Sequence, residues 1–127
     1  MTLIWVALGG ACGATLRFLV VRAFSGAAAG FPMGTLVVNV GGSFLIGLLA
    51  GSVFLDPKAA PSARMFFQTG LLGAFTTFSA FSLETMQLWQ TGQIRSSLLN
   101  IGLNVCLCLA AVVAGMVLGS ELQSRWR

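Results

Sequence analysis

The sequence predicts an all-α integral membrane protein of four transmembrane helices, and three observations carry that expectation. Of the 127 residues, 57% are hydrophobic and only 8% charged, against about 25% charged in a soluble domain. The few charges are unevenly placed: Gly34 to Leu55 and Ser96 to Ser120 have none, and Glu84 is alone between Met65 and Ile94. Apolar runs of roughly 20 residues, long enough to cross the hydrocarbon core as helices, alternate with short connectors rich in breakers. A single transmembrane domain covering residues 1–127 accounts for the whole chain and leaves nothing for a soluble catalytic unit.

The elements follow in order. The first helix is expected over about residues 3–24, with Arg17 and Arg22 toward its end. A secretory signal peptide would carry its positive charge before the apolar run, whereas residues 1–16 are uncharged, so a retained helix is expected. The connector Ser25-Gly26-Ala27-Ala28-Ala29-Gly30-Phe31-Pro32 leads to a second helix over about 33–55. Asp56 to Ser62, with two prolines, breaks the chain again before a third helix over about 63–91. The turn Thr91-Gly92-Gln93 precedes a fourth helix over about 96–121.

An even number of crossings puts both termini on one side, with Lys58, Arg64, Arg125 and Arg127; Arg22, Arg95 and Arg17 fall on the other. This near balance leaves the positive-inside rule without a choice. Either the chain inserts both ways and pairs with an inverted copy, or other signals resolve a weak bias. The net charge of +4 is spread over single Lys and Arg residues, which forms no nucleic-acid footprint and suits interfacial anchors at a lipid bilayer. Small residues recur at four-residue spacing, as Gly9/Gly13, Gly47/Gly51 and Ala111/Gly115/Gly119, a pattern that lets membrane helices approach closely within a bundle or a dimer. Cys12, Cys106 and Cys108 are odd in number and fall in apolar runs. They form neither a disulfide framework nor a zinc site and are expected as packing residues.

The acidic inventory is Asp56, Glu84 and Glu121, and there is no histidine. General acid–base chemistry commonly uses a positioned pair or a histidine, which argues against an enzyme. Glu84 is the only carboxylate placed to lie in the membrane; it sits past the middle of its helix, either interfacial, paired with an arginine, or available to proton-coupled transport.

The third segment is unusual. Gly70, Gly73 and the adjacent Thr76 and Thr77 make a poor mid-helix sequence, and the sequence favours a break near the centre, although glycine and threonine also occur in unbroken membrane helices. A break is tolerated where the freed backbone faces protein or a water-filled cavity, and it offers carbonyls to a cation or N–H groups to an anion. Phe75, Phe78 and Phe81 follow at i, i+3 and i+6. They either pack against lipid or a neighbour, or turn their positive ring edges toward an anion, with Thr76, Thr77, Ser79 and Ser82 adding hydroxyls. Asn39 in the second helix is either interhelical glue or a donor of two hydrogen bonds. Asn100, Asn104 and Cys108 stack along one face of the fourth helix, as the wall of a polar path or again as glue. Deep groups that are mostly neutral donors favour an anion over a cation as the permeant species.

Three stretches resemble the Fluc fluoride channel family, also called CrcB, and the likeness runs along essentially the whole chain. Gly13-Ala14-Thr15-Leu16-Arg17-Phe18 resembles its first-helix signature, Gly34-Thr35-Leu36-Val37-Val38-Asn39-Val40-Gly41-Gly42-Ser43-Phe44 its second, and Gly73-Ala74-Phe75-Thr76-Thr77-Phe78-Ser79-Ala80-Phe81 its third, which is highly specific. The resemblance implies an antiparallel, dual-topology homodimer in the cytoplasmic membrane with two fluoride pores. It implies that Phe78 and Phe81 face the ion, that Asn39 donates to it, and that Thr77, Ser79, Asn100, Asn104 and Cys108 line its path. It further implies a structural sodium ion at the dimer centre, held by the backbone carbonyls of Gly73 and Thr76 from each subunit. Arg17 and Glu84 are left structural or electrostatic roles. The chain departs from the family pattern at Ala80, where threonine is frequent, and at Cys108, where a hydroxyl is more common.

The function so implied is passive fluoride export. A small four-helix exporter of the multidrug type would need an acidic residue in the first helix, where this chain has Arg17 instead. A non-conducting assembly subunit would explain the small-residue stripes but leave Asn39, Asn100 and Asn104 without a role.

Overall fold

The computed structural model describes residues 2–26, 30–52 and 61–125. Helix α1 spans Thr2–Ala23 and α2 spans Met33–Gly51. A third crossing begins with α3, Pro61–Arg64, continues as a π-helix over Met65–Leu72, and ends its first half with α4, Gly73–Phe75. Its second half is α5, Phe78–Gln90, and the last helix is α6, Ile94–Ser124. All regular structure among the described residues is helical. The second helix ends at Gly51, short of the expected residue 55, because Ser52 is extended at φ −108°, ψ 160°; residues 53–55, the connector carrying Asp56 and Lys58, and Arg127 lie outside the described residues. The last helix is longer than expected at both ends; Ile94 and Arg95 already belong to it, and it runs past Glu121 to Ser124.

The turn between α5 and α6 shows why so short a connector suffices. Gly92 takes φ 78°, a conformation only glycine adopts freely. Gln93 N–H then reaches Leu88 O at 2.9 Å and Gly92 N–H reaches Trp89 O at 3.0 Å, the paired bonds of a Schellman ending. The chain reverses at once, and α6 begins at Ile94.

Glycine stripes set the helix register. A Cβ on Gly47 or Gly51 would collide with the backbone of Val112 or Met116, and one on Gly115 or Gly119 with the backbone around Phe44 or Leu48. Positions rise together along α2 and α6, so these two helices run parallel, and the chain must cross once between them. That crossing is the segment from Pro61 to Gln90. Gly9 and Gly13 of α1 meet the π-helix in the same way, at Phe66 and Leu71. The stripes are therefore spent within the chain, bringing backbones together where side chains would hold them apart.

The distribution of polarity is that of a membrane protein. Leu3, Phe18, Leu83, Leu98, Leu109 and Val113 are exposed, while Thr35, Thr77, Thr85, Ser97, Asn100 and Asn104 are buried. A soluble fold buries its apolar side chains and keeps such groups at the surface. Helices α1, α2 and α6 have 22, 19 and 31 residues and mean hydropathies of 1.8, 1.8 and 2.5 over their most apolar windows, which meets the length and composition of a bilayer span. The chain is a multi-pass α-helical membrane protein.

Candidate functional site

The chain is not helical at Thr76 and Thr77. Thr76 closes α4 with φ −75°, ψ 155°, and Thr77 precedes α5 with φ −150°, ψ 114°. Two extended residues inside a crossing strip the local backbone of its helical partners, and an unpaired amide in lipid costs several kcal/mol. Asn39 of α2 takes up both groups of Thr77. Its Oδ1 accepts from Thr77 N–H at 2.8 Å, and its Nδ2 donates to Thr77 O at 3.2 Å. The Thr77 side chain starts the next helix, accepting from Ala80 N–H at 3.2 Å, as an N-cap threonine does. Thr76 Oγ1 donates back to Leu72 O at 3.1 Å.

Asn39 also donates to Asn104 Oδ1 at 3.0 Å, and Asn104 donates to Asn100 Oδ1 at 2.9 Å and Asn100 O at 3.1 Å. Asn100 in turn donates to Thr85 Oγ1 at 2.8 Å, and Thr85 donates to Phe81 O at 2.6 Å. Because Thr77 N–H can only donate, it fixes which end of Asn39 it meets, and each following amide is set by the one before. Both Nδ2 hydrogens of Asn39 and of Asn104 are thus committed to protein acceptors. An ion receives a hydrogen bond from either only by taking one of these away.

This network floors an open groove of about 440 Å³ lined by Asn39, Ser43, Thr77, Phe78, Asn104 and Cys108, among others. No charged side chain among the described residues lines it. Gly73 and Thr76 border it where the helix is interrupted. Phe78 is 78% exposed and Phe81 only 8%, yet their rings touch, with centroids 5.4 Å apart and planes tilted by 53°. Phe81 is a wall of the groove and Phe78 a projecting lip. Phe75 does not join them as the i, i+3, i+6 spacing suggested. That spacing needs a continuous helix, and the extended Thr76 and Thr77 turn Phe75 toward Gly42 instead.

The other expected positions are distributed around this core. Ser79 is exposed, with its Oγ 3.2 Å from Thr77 Oγ1. Asn100 is fully buried, at 0% exposure, one layer behind the groove, while Asn104 at 5% reaches its floor. Cys108 is half-buried along the same face; Cys12 and Cys106 are exposed elsewhere. Arg17 and Glu84 face a separate cavity of about 290 Å³ that also meets Thr35 and Thr77. Glu84 Oε1 accepts from Thr35 Oγ1 at 2.8 Å, while Glu84 Oε2 and Arg17 Nε are buried without a hydrogen-bond partner. Two further polar residues, Thr85 and Ser97, belong to the network, Ser97 donating to Thr85 O at 3.0 Å. Ser97 shares the helix face of Asn100 and Asn104, which was a readable signal. Thr85 offered none, since a threonine in a membrane helix usually bonds only to its own backbone.

The arrangement suits small ions better than organic substrates. It offers hydroxyls and ring edges to an anion, and backbone carbonyls to a hard cation, without a fixed charge on the groove among the described residues. The family model described as "CrcB-like protein, Camphor Resistance (CrcB)" matches residues 4–116. Among curated proteins, the chain is 45% identical over 121 residues to the "Fluoride-specific ion channel FluC" of Paracoccus denitrificans, covering 95% of this chain and 96% of that one. It is 47% identical over 116 residues to the protein of the same name from Idiomarina loihiensis, covering 91% and 89%. A third, from Methylococcus capsulatus, is 46% identical over 123 residues; the match takes in 96% of this chain but 54% of that longer relative.

Proposed function

The chain belongs to the CrcB family, and from that premise we propose that it is a fluoride-selective channel that passively exports fluoride across the cytoplasmic membrane and lowers its toxicity inside the cell. The observation that carries the proposal is the groove at the helix interruption, apolar over most of its wall and free of charge among the described residues, with the polar groups of Asn39, Thr77 and Asn104 at its floor. Fluoride is small and strongly hydrated, so a path through lipid must replace its water with close donors while releasing it readily. Hydroxyls of Thr77 and Ser79 and the ring edges of Phe78 and Phe81 would meet that need, and the amides of Asn39 and Asn104 would join them only by giving up one of their protein acceptors. A fixed cation in the groove would hold the ion too long. Glu84, the carboxylate a proton-coupled exporter would call on, opens onto the other cavity.

The working unit in this proposal is an antiparallel homodimer of dual topology. The groove is open along one side, with Phe78 projecting from it, so a second copy would close it. The nearly balanced Lys and Arg residues suit insertion in both orientations. A structural sodium ion fits the residues at the interruption. Thr77 N–H, which would have closed a helical turn on Gly73 O, is donated to Asn39 instead, and Thr76 O lies where the helix has already ended. Carbonyl oxygens are suitable ligands for a hard cation, but two fall short of the roughly six such ions take, which again asks for the partner's pair. Bound there, sodium would supply positive charge that holds the four helix ends together. Gly73 and Thr76 would do the holding, with Asn39 keeping the Gly73 carbonyl free by taking Thr77 N–H and the Thr77 hydroxyl keeping Thr76 O free by taking Ala80 N–H.

In a planar bilayer with a fluoride gradient and symmetric chloride, the current through the purified protein is expected to reverse near the fluoride equilibrium potential. A reversal at zero would mean that fluoride is not the permeant ion.

A further inference from the structure

Thr85 lies outside the groove, buried at the contact between α5 and α6. We propose that it is a positioning residue: its hydroxyl fixes the direction of the amide chain through Asn100 and Asn104 to Asn39, and thereby holds Asn39 on the interrupted helix. The functional consequence rests on the channel proposal; the positioning itself does not.

A side-chain amide has a donating end and an accepting end, and a row of them can run either way unless its termini choose. Here both termini do. At one end Thr77 N–H can only donate, and it meets Asn39 Oδ1. At the other, Phe81 O can only accept; it takes the Thr85 hydroxyl hydrogen, so the Thr85 oxygen must accept from Asn100. The two choices agree, and every amide between them donates toward Thr85. Ser97 Oγ, donating to Thr85 O, ties α6 to α5 at the same level.

Without the hydroxyl, Asn100 Nδ2 faces no acceptor and its amide is free to turn. Once turned, it sets Nδ2 against the Nδ2 of Asn104. Turning Asn104 to relieve that clash would also forfeit its bond to the Asn100 carbonyl and set it against Asn39, whose orientation Thr77 N–H opposes. The conflict therefore appears next to the groove, well away from the altered residue.

The test compares Thr85→Val, which keeps the shape and removes the hydroxyl, with Thr85→Ser, which keeps the hydroxyl. The sequence contains three asparagines, all in this chain of amides, so labelling asparagine with nitrogen-15 isolates their side-chain amides, and a uniformly labelled sample reads the α2 backbone. In the full-length protein in lipid nanodiscs, Thr85→Val is expected to speed hydrogen exchange at the Asn39 and Asn104 side chains about tenfold, the worth of one lost buried hydrogen bond. Thr85→Ser is expected to stay within about twofold of the unaltered protein, and backbone exchange in α2 to remain as it was. Fluoride efflux from liposomes should fall about tenfold in the valine variant and recover in the serine variant. Unchanged Asn39 exchange in Thr85→Val overturns the proposal, as does equal acceleration along the α2 backbone, which would mean general loosening. Altered exchange in a protein that carries no fluoride would leave Thr85 in its assigned role and refute the channel instead.

Discussion

Replacing Asn39 by leucine removes one side chain and strands three groups at once: the N–H and C=O of Thr77 and the Oδ1 of Asn104. Leucine branches at the same carbon as asparagine but cannot hydrogen-bond; it is the larger side chain, and because Asn39 borders the open groove the loss counted here is that of hydrogen bonding. Interhelical hydrogen bonds in membranes average about 0.6 kcal/mol each, which puts the three together at about 2 kcal/mol. Thr77 is buried, and if no water reaches its amide the unpaired N–H alone costs about 1–3 kcal/mol. The expected destabilisation is therefore about 2–4 kcal/mol, a shift of at least about thirtyfold in the unfolding equilibrium. Reversible unfolding in mixed detergent micelles, followed for the full-length protein and for Asn39→Leu, would measure it. Asn39→Asp provides an internal comparison: as the protonated acid it still accepts from Thr77 N–H and donates one hydrogen bond where the amide donated two. In that form it should fall between the other two. A leucine variant within about 0.5 kcal/mol of the unaltered protein would show that the interruption at Thr76 and Thr77 is held by something other than Asn39.

Other expectations follow from single contacts. Phe78→Ile and Phe81→Ile should each suppress fluoride flux while the assembled protein still elutes at the same size, because both keep apolar volume and lose the ring edge; normal flux in both would remove the aromatic argument. Gly115→Ala should destabilise the protein, since its Cβ would meet the backbone at Phe44 and Leu48. Gly102→Ala, with open space around it, should be neutral or stabilising by up to about 1 kcal/mol from helix propensity. Equal effects at the two glycines, measured by the same unfolding assay, would refute the close α2–α6 register. Withholding sodium throughout purification should weaken the dimer, seen as a rise in the monomer fraction by single-molecule photobleaching in liposomes; an unchanged fraction would count against a sodium site at Gly73 and Thr76.

What was legible in the sequence was local. Apolar run lengths placed α1 at Thr2–Ala23 against an expected 3–24, and Gly92 marked a turn that the Schellman bonds complete. The four-residue steps of Asn100 and Asn104 put them on one face because a single helix carries both. Partnership across the fold was not legible. Asn39 meets Thr77 from 38 residues away, and nothing in either stretch names the other. The π-helix over Met65–Leu72 has no residue pattern that distinguishes it from an α-helix. Phe75 leaves the i, i+3, i+6 face for a related reason: helical spacing does not carry through Thr76 and Thr77, where the backbone is extended. Thr85 escaped notice because its importance lies in which of two hydrogen-bonding directions it enforces, a property of its neighbours rather than of its type.

The central claim is that this chain, paired with its own copy, makes a path through lipid that fluoride takes and chloride does not. Liposomes loaded with both anions, containing the purified protein and a potassium ionophore to balance charge, would be followed with fluoride and chloride electrodes in parallel. Rapid fluoride release with chloride retained is the predicted result. Retention of both anions by a protein that is folded and dimeric, or release of both at similar rates, would contradict it.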